Sequence, residues 1–173
     1  MTDLPRAHSV SRQAGAAAED RVSLDYEGRF LRRRRLETEG GRTVLVDLPE
    51  VTSLDDGDAL QLTDGTRVAV RAAPEALLAV TAPDLARLAW HIGNRHTPCQ
   101  IEHARLVIRE DHVLADMLRR LGAVVEPLTA PFRPEGGAYG HGRTMGHSHG
   151  PAHDHGHAHA NDHGHAGQAH DQG

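Results

Sequence analysis

The C-terminal stretch of this chain has almost no core-forming side chains, and that limits how much protein is left to fold. Ten of its fifteen histidines lie beyond residue 140, at His141, His147, His149, His153, His155, His157, His159, His163, His165 and His170. Gly, Ala, Ser and Asp separate them, a composition that reads as a disordered tail over residues 134–173. Residues 1–20 are rich in Ala, Ser and polar side chains without periodicity and read as a poorly ordered N-terminus. The roughly 120 residues between them suit one domain or two very small ones. Only 3% of the chain is aromatic, so Val, Leu, Ile and Ala must build the core.

The tail itself points to metal. Neutral imidazole is a ligand for nickel, copper and zinc, and a run of spaced imidazoles can meet several coordination numbers without a preformed cage. The histidines are interspersed rather than contiguous, unlike a purification tag. A pH-sensing role is the competing reading, since free imidazoles with a pKa of about 6.5 would charge together on acidification. The same protonation would expel bound metal.

Several function classes drop out. All nineteen basic residues are arginine. Without lysine there is no P-loop and no lysine Schiff base, so any coupled nucleotide hydrolysis belongs to another chain. The formal net charge of −5 argues against nucleic acid as the main partner. One cysteine, Cys99, excludes an intramolecular disulfide and a Cys-x-x-Cys site. No apolar leader follows Met1 and no long apolar run occurs later, so a cytoplasmic protein with no membrane partner is expected.

Short alternating runs dominate residues 21–73. Val22, Leu24 and Tyr26 alternate with polar neighbours, as do Val44, Val46 and Leu48. Leu60 and Leu62 lead into Thr63-Asp64-Gly65-Thr66, after which Val68 and Val70 alternate again, a strong hairpin signal. A small all-β domain is the natural reading. Over residues 74–133 the pattern changes. Glu75–Thr81 reads as a strand, and Thr81-Ala82-Pro83-Asp84 as a helix start with Thr81 as cap. Leu85, Leu88, Ala89 and Ile92 share one helical face, and Gly93 can end it. Pro98–Glu102 and Arg105–Arg109 read as strands. Asp111 can cap a second helix that buries Val113, Leu114, Met117, Leu118 and Leu121, and Val124–Leu128 makes a last strand. The order β-α-β-β-α-β is the ferredoxin-like arrangement, which leaves one sheet face to be covered by the β domain or by a partner chain. The fold class is therefore α+β: an N-terminal all-β domain, a ferredoxin-like domain and a His-rich tail.

Within the run Trp90 to Pro98, His96 follows the helix end in a turn, and Pro98 pushes Thr97 toward an extended backbone. Such a histidine is exposed and held in place. It can ligate metal, or it can simply cap the helix; spacing alone favours the cap. A two-fold axis would change the balance, because the same residue from each subunit can meet there and supply two ligands. Such a site would be open and labile, which suits transfer better than storage.

The run His91-Ile92-Gly93-Asn94-Arg95-His96-Thr97-Pro98, followed by Gln100-Ile101, resembles the signature of the UreE family of urease accessory metallochaperones. Asp111-His112-Val113-Leu114-Ala115-Asp116-Met117-Leu118 resembles the family's second helix. Thr38 with Gly41, Leu48-Pro49 and Asp56-Gly57-Asp58 agree more loosely. The resemblance covers residues 21 to 130 and the tail. It implies a homodimer with a β domain and a ferredoxin-like metal-binding domain, which donates nickel during urease assembly with an accessory GTPase and the urease apoprotein complex. It also implies that His96 bridges nickel across the dimer axis. Glu110 departs from the His that some relatives carry two positions before His112, leaving an auxiliary site there open. Glu50-Val51 departs from the basic, glycine-containing sequence expected after Leu48-Pro49.

The reading is a non-enzymatic nickel metallochaperone, with copper and zinc competing in vitro. Its metal residues are His96 first, then the ten tail histidines collectively, with His112 and His91 as minor candidates. The alternative is a His-rich buffer or storage protein for nickel, copper or zinc; a metal-dependent enzyme with an open His site is a third class. Other features are discounted. His91 flanks an apolar stripe, His103 lies in a turn, and Cys99 reads as a small buried apolar residue. Arg32–Arg35 reads as a solvated strand edge. Gly146-His147-Ser148-His149-Gly150 matches a nucleophile elbow only by chance, because it lacks the strand-turn-helix context.

Overall fold

Alternating apolar residues produce strands from the start of the chain, and they assemble into two sheets. The computed structural model describes residues 4–136; the ten tail histidines lie outside them. The first sheet contains β1 (Arg6–Ser11), β2 (Asp20–Leu24), β3 (Phe30–Glu37), β4 (Thr43–Ser53), β5 (Ala59–Leu62) and β6 (Arg67–Ala72). Its strand order is β2-β6-β5-β1-β4-β3. Strands β1 and β4 pair in parallel, as do β2 and β6, and the other neighbours are antiparallel. Val22, Val44, Val46, Leu60, Val68 and Val70 form its core. The β5–β6 hairpin turns through Thr63–Thr66, with Leu62 N–H donating to Thr66 O (3.0 Å) and Gly65 at φ +84°, where a side chain would be strained.

The expectation of a poorly ordered N-terminus is corrected here: Arg6–Ser11 is β1, seated between β5 and β4. Only Ala7 of that strand is fully buried, so its apolar pattern is too sparse to read. Distant contacts hold the segment instead. The fully buried carboxylate of Asp58 accepts from Arg12 Nη1 (2.6 Å) and from the N–H groups of Gln13 (3.1 Å) and Asp55 (2.9 Å). Arg32–Arg35 lie exposed on β3, at one edge of the sheet, as expected.

The second sheet follows in the order β7 (Pro74–Thr81), α1 (Leu85–Gly93), β8 (Gln100–Ile101), β9 (Leu106–Arg109), α2 (His112–Arg120) and β10 (Val124–Pro131). It is antiparallel throughout, in the order β10-β7-β9-β8. Asp84, not Thr81, caps α1: its carboxylate accepts from Arg87 N–H, while Thr81 is paired with Val124 in the sheet. Asp111 caps α2 through Leu114 N–H (2.9 Å), and Val113 is exposed rather than buried. Strand β8 is shorter than its apolar pattern predicts. Strand β10 runs three residues longer than expected, through Pro127 and Pro131, because an edge strand can lack N–H donors on its outer side.

Side chains alternate across this sheet. Leu78, Val80, Leu106 and Ile108 pack under Leu88 and Ile92 of α1 and Leu114 and Leu118 of α2. On the opposite face, Leu77 and Val107 pack against Tyr26 and Phe132. The cover expected for that face is thus Tyr26, which follows β2, and Phe132, which follows β10. Their rings meet edge-on at 5.4 Å. Polar contacts rim the seam. Tyr26 N–H donates to Glu75 (2.7 Å), Arg109 pairs with Glu27 (2.6 Å) and Glu75 (3.4 Å), and the buried guanidinium of Arg29 donates to Phe132 O. Arg133 reaches Asp56 at 2.8 Å. Burial pushes the Asp56 pKa up, but Ala72 N–H and Arg133 outweigh it and hold it below the usual range. This contribution is present above the ordinary aspartate pKa and is lost as pH falls through the lowered value.

Phe132 is 0% exposed. Phe132→Ala is expected to cost about 3–5 kcal/mol, read as a lowered urea midpoint, whereas Val113→Ala on the open face of α2 should stay within about 0.5 kcal/mol.

Candidate metal centre

The end of α1 tightens before it releases the chain. Asn94 N–H bonds Trp90 O (2.9 Å), then Arg95 N–H bonds Ile92 O (3.1 Å) and His96 N–H bonds Gly93 O (2.9 Å). The bonds shorten from four residues to three, the common way to close a helix. His96 then takes φ +54°. Glycine usually fills that left-handed position, and a side chain there costs about 1–2 kcal/mol. Histidine is among the side chains that tolerate it best. With Pro98 just beyond, the imidazole is exposed and its backbone is held on both sides.

His96 opens on a pocket of about 210 Å³. Helix α1 contributes Ala89 and Gly93, the turn contributes Thr97, Pro98 and Cys99, and β8 contributes Ile101. Glu135 and Gly136 complete the lining. Ile101 in the pocket lining is 54% exposed, and Trp90, at the position after Ala89 on α1, is 64% exposed. Glu135 stays there because its N–H donates to Cys99 O (2.9 Å). Arg133 N–H donates to Gln100 Oε1 (2.7 Å), and the Gln100 amide is oriented in turn by Glu102 (2.7 Å).

Burial, with the Glu135 carboxylate as a smaller contribution, pushes the Cys99 thiol up to about 11. It is therefore a neutral thiol at neutral pH. His91, in the last turn of α1, stacks edge-on with Trp90 at 5.0 Å. His112 is the exposed first residue of α2 and follows the exposed Glu110 by two positions. His103 is exposed in the β8–β9 turn. Among the described residues, no group of three or more His, Cys, Asp or Glu side chains converges to hold a metal. His96, His91 and His112 therefore do not form one cluster. Glu135 and Gly136 escaped the sequence reading because only tertiary structure brings them to the pocket.

Known proteins decide the family. Residues 2–73 match the N-terminal domain of UreE urease accessory proteins, and residues 75–171 match the C-terminal domain. The chain belongs to the UreE family. It is 64% identical to the urease accessory protein UreE of Cereibacter sphaeroides over 149 residues, covering 84% of this chain and 81% of that protein. Identity to the UreE of Ruegeria pomeroyi is 57% over 83% of this chain and 97% of the relative. For the UreE of Paracoccus denitrificans it is 61% over 82% and 90%. UreE proteins are accessory chaperones of urease maturation and not enzymes. No helix among the described residues is long and apolar enough to cross a membrane.

The raised thiol has a direct readout. At pH 8 Cys99 should react with iodoacetamide on the order of a hundredfold more slowly than an unperturbed thiol, and Glu135→Gln should speed it modestly. A rate equal to that of free cysteine would contradict this environment.

Proposed function

We propose that this UreE-family chain is a nickel metallochaperone that works as a homodimer and carries its transferable ion on His96. One observation carries the reading: an exposed imidazole held in a left-handed backbone at the mouth of a largely apolar pocket. Non-glycine residues in sparsely populated backbone conformations persist where the surrounding structure fixes them, and they cluster at functional sites. The exposed Ile101 in the same pocket and the exposed Trp90 on α1 offer a second copy apolar surface to cover, and a two-fold axis there would bring two His96 side chains together. Two imidazoles and few other protein donors make a labile site, from which a partner with better-matched ligands can draw the ion.

The ten tail histidines would collect metal and pass it to His96. Nickel is the cargo that a urease accessory role calls for, whereas imidazole alone binds copper at least as tightly. Selectivity would then rest on metal supply and on recognition by the accessory GTPase and the urease apoprotein complex in the cytoplasm. We read residues 21–73, with β1 added to their sheet, as the partner-binding domain and residues 74–133 as a ferredoxin-like metal-binding domain. The antiparallel order β10-β7-β9-β8 and the paired helices support the second of these. A storage protein would have no need of a strained imidazole on the folded part.

Glycine is the informative substitution, because it removes the imidazole and fits the backbone. His96→Gly, made in a chain whose ten tail histidines are replaced by alanine, should lower nickel affinity on the order of a hundredfold or more. Its thermal stability should stay within about 1 kcal/mol of the parent or rise. The parent should hold one nickel per dimer by calorimetric titration. Equal tight binding with and without His96 would overturn the assignment.

A further inference from the structure

Four arginines in succession, Arg32–Arg35, stand exposed on β3, an edge strand of the first sheet. The register shows which backbone groups that edge leaves free. Leu45 stands opposite Arg35, but its N–H donates to Pro5 O (2.9 Å), just ahead of β1 on the far side of β4. The pair Arg35–Leu45 therefore exchanges no ladder bond. Such pairs alternate with bonded ones in an antiparallel ladder. Arg34 and Leu36 thus bond Val46 and Val44, whereas the N–H and C=O groups of Arg33, Arg35 and Glu37 point away from the sheet. Beyond Arg33 the ladder breaks, because Arg32 alone stands against Leu48–Val51 of β4. The other edge strands are less open. Strand β10 carries Pro127 and Pro131, which have no N–H, and β8 is two residues long. On β2, Arg21 O already accepts from Glu39 N–H (2.8 Å).

We infer that the β3 edge from Arg33 to Glu37 docks an extended acidic segment of a partner protein as an added strand. The inference rests on the reading of residues 21–73 as the partner-binding domain and is independent of His96. Charge complementarity names the occupant. The chain has a net charge of −5, yet this strand concentrates four adjacent positive charges. The protein's own acids leave them largely unanswered. Arg33 is 3.8 Å from Asp47, with its side chain 66% exposed, and Arg32 Nε donates to Leu48 O (3.3 Å). Among the described residues no ion pair involves Arg34 or Arg35. Side chains alternate across a strand, so Arg33, Arg35 and Glu37 share one face. In an added antiparallel strand, the residues opposite Arg33 and Arg35 lie two apart on that same face, beside the guanidinium groups. Glu37 disfavours a third acid opposite itself. The segment is thus acidic at two alternate positions and neutral or basic two residues ahead of them. Its backbone supplies affinity and its acids supply specificity. Charge on an open edge also guards against aggregation. A lone charge suffices for that, whereas four adjacent like charges repel one another until an anion joins them.

The test titrates the full nitrogen-15-labelled chain with the capped peptide Thr-Thr-Glu-Val-Glu-Thr and follows amide shifts by NMR. Saturable shifts should appear at Arg33, Arg35 and Glu37. Replacing both peptide glutamates by glutamine should weaken binding on the order of tenfold, as should Arg33→Gln with Arg35→Gln in the protein. N-methylation of the two peptide glutamates keeps their charge but removes the N–H groups that would face β3, and it should abolish saturable binding. Arg35→Pro should weaken binding several-fold more than Arg35→Thr, because it also deletes an outward N–H while sparing the bonds to β4. No saturable shift would overturn the inference. So would equal binding by the glutamine peptide, or by the N-methylated one, which would reveal plain attraction to a cationic surface. Shifts centred elsewhere on the first sheet would remove the edge and leave the partner-binding reading of residues 21–73 in place; shifts confined to residues 74–136 would remove both.

Discussion

Phe132 in the seam between the sheets is the contact on which the arrangement depends. The second sheet buries one face under its own helices and leaves Leu77 and Val107 on the other. With only 3% aromatic residues in the chain, two of the few rings, Tyr26 and Phe132, cover that face. Tyr26 comes from the first unit and Phe132 from the end of the second, so one small cluster joins the two units and fixes the path of the chain beyond β10. The ion pairs of Arg109 and Arg133 rim this cluster. Being partly exposed, they add orientation more than energy.

From that seam the geometry passes directly to His96. The chain that buries Phe132 goes on to bond Gln100 and Cys99 and so builds one wall of the pocket. The end of α1 lines the same pocket, and the turn after it takes, at His96, a backbone conformation better suited to glycine. A sequence optimised only for stability would put Gly at position 96. His96 holds that conformation at a cost of about 1–2 kcal/mol relative to glycine.

Features set by local chemistry were legible in the sequence. The Thr63–Thr66 hairpin follows from the backbone freedom of Gly65, and Asp111 caps α2 because a carboxylate there meets the orphan N–H groups of the first turn. The buried faces of both helices followed from 3.6-residue periodicity, with Val113 the exception. Pro98 and Gly93 placed His96 in a fixed turn, but nothing in the pattern distinguished its left-handed backbone from a plain cap. What depended on distant partners was not legible. Strand β1 is held by a carboxylate 45 and 46 positions away and carries a single buried small residue. Thr81 lost the capping role to Asp84 because its own pairing lies in the sheet. Residues 132–136 read as a polar, proline-broken exit, and only the assembled sheet shows that they lead back to the site.

The central claim is that one metal ion sits between His96 imidazoles of two copies. Anomalous diffraction at the nickel edge, from crystals of the alanine-tail chain loaded with nickel(II), tests it most directly. The account predicts a single strong peak on a two-fold axis, within about 2.0–2.2 Å of a His96 ring nitrogen from each copy. A peak bound within one copy only, or at His91 or His112 with the two His96 rings apart, would contradict it.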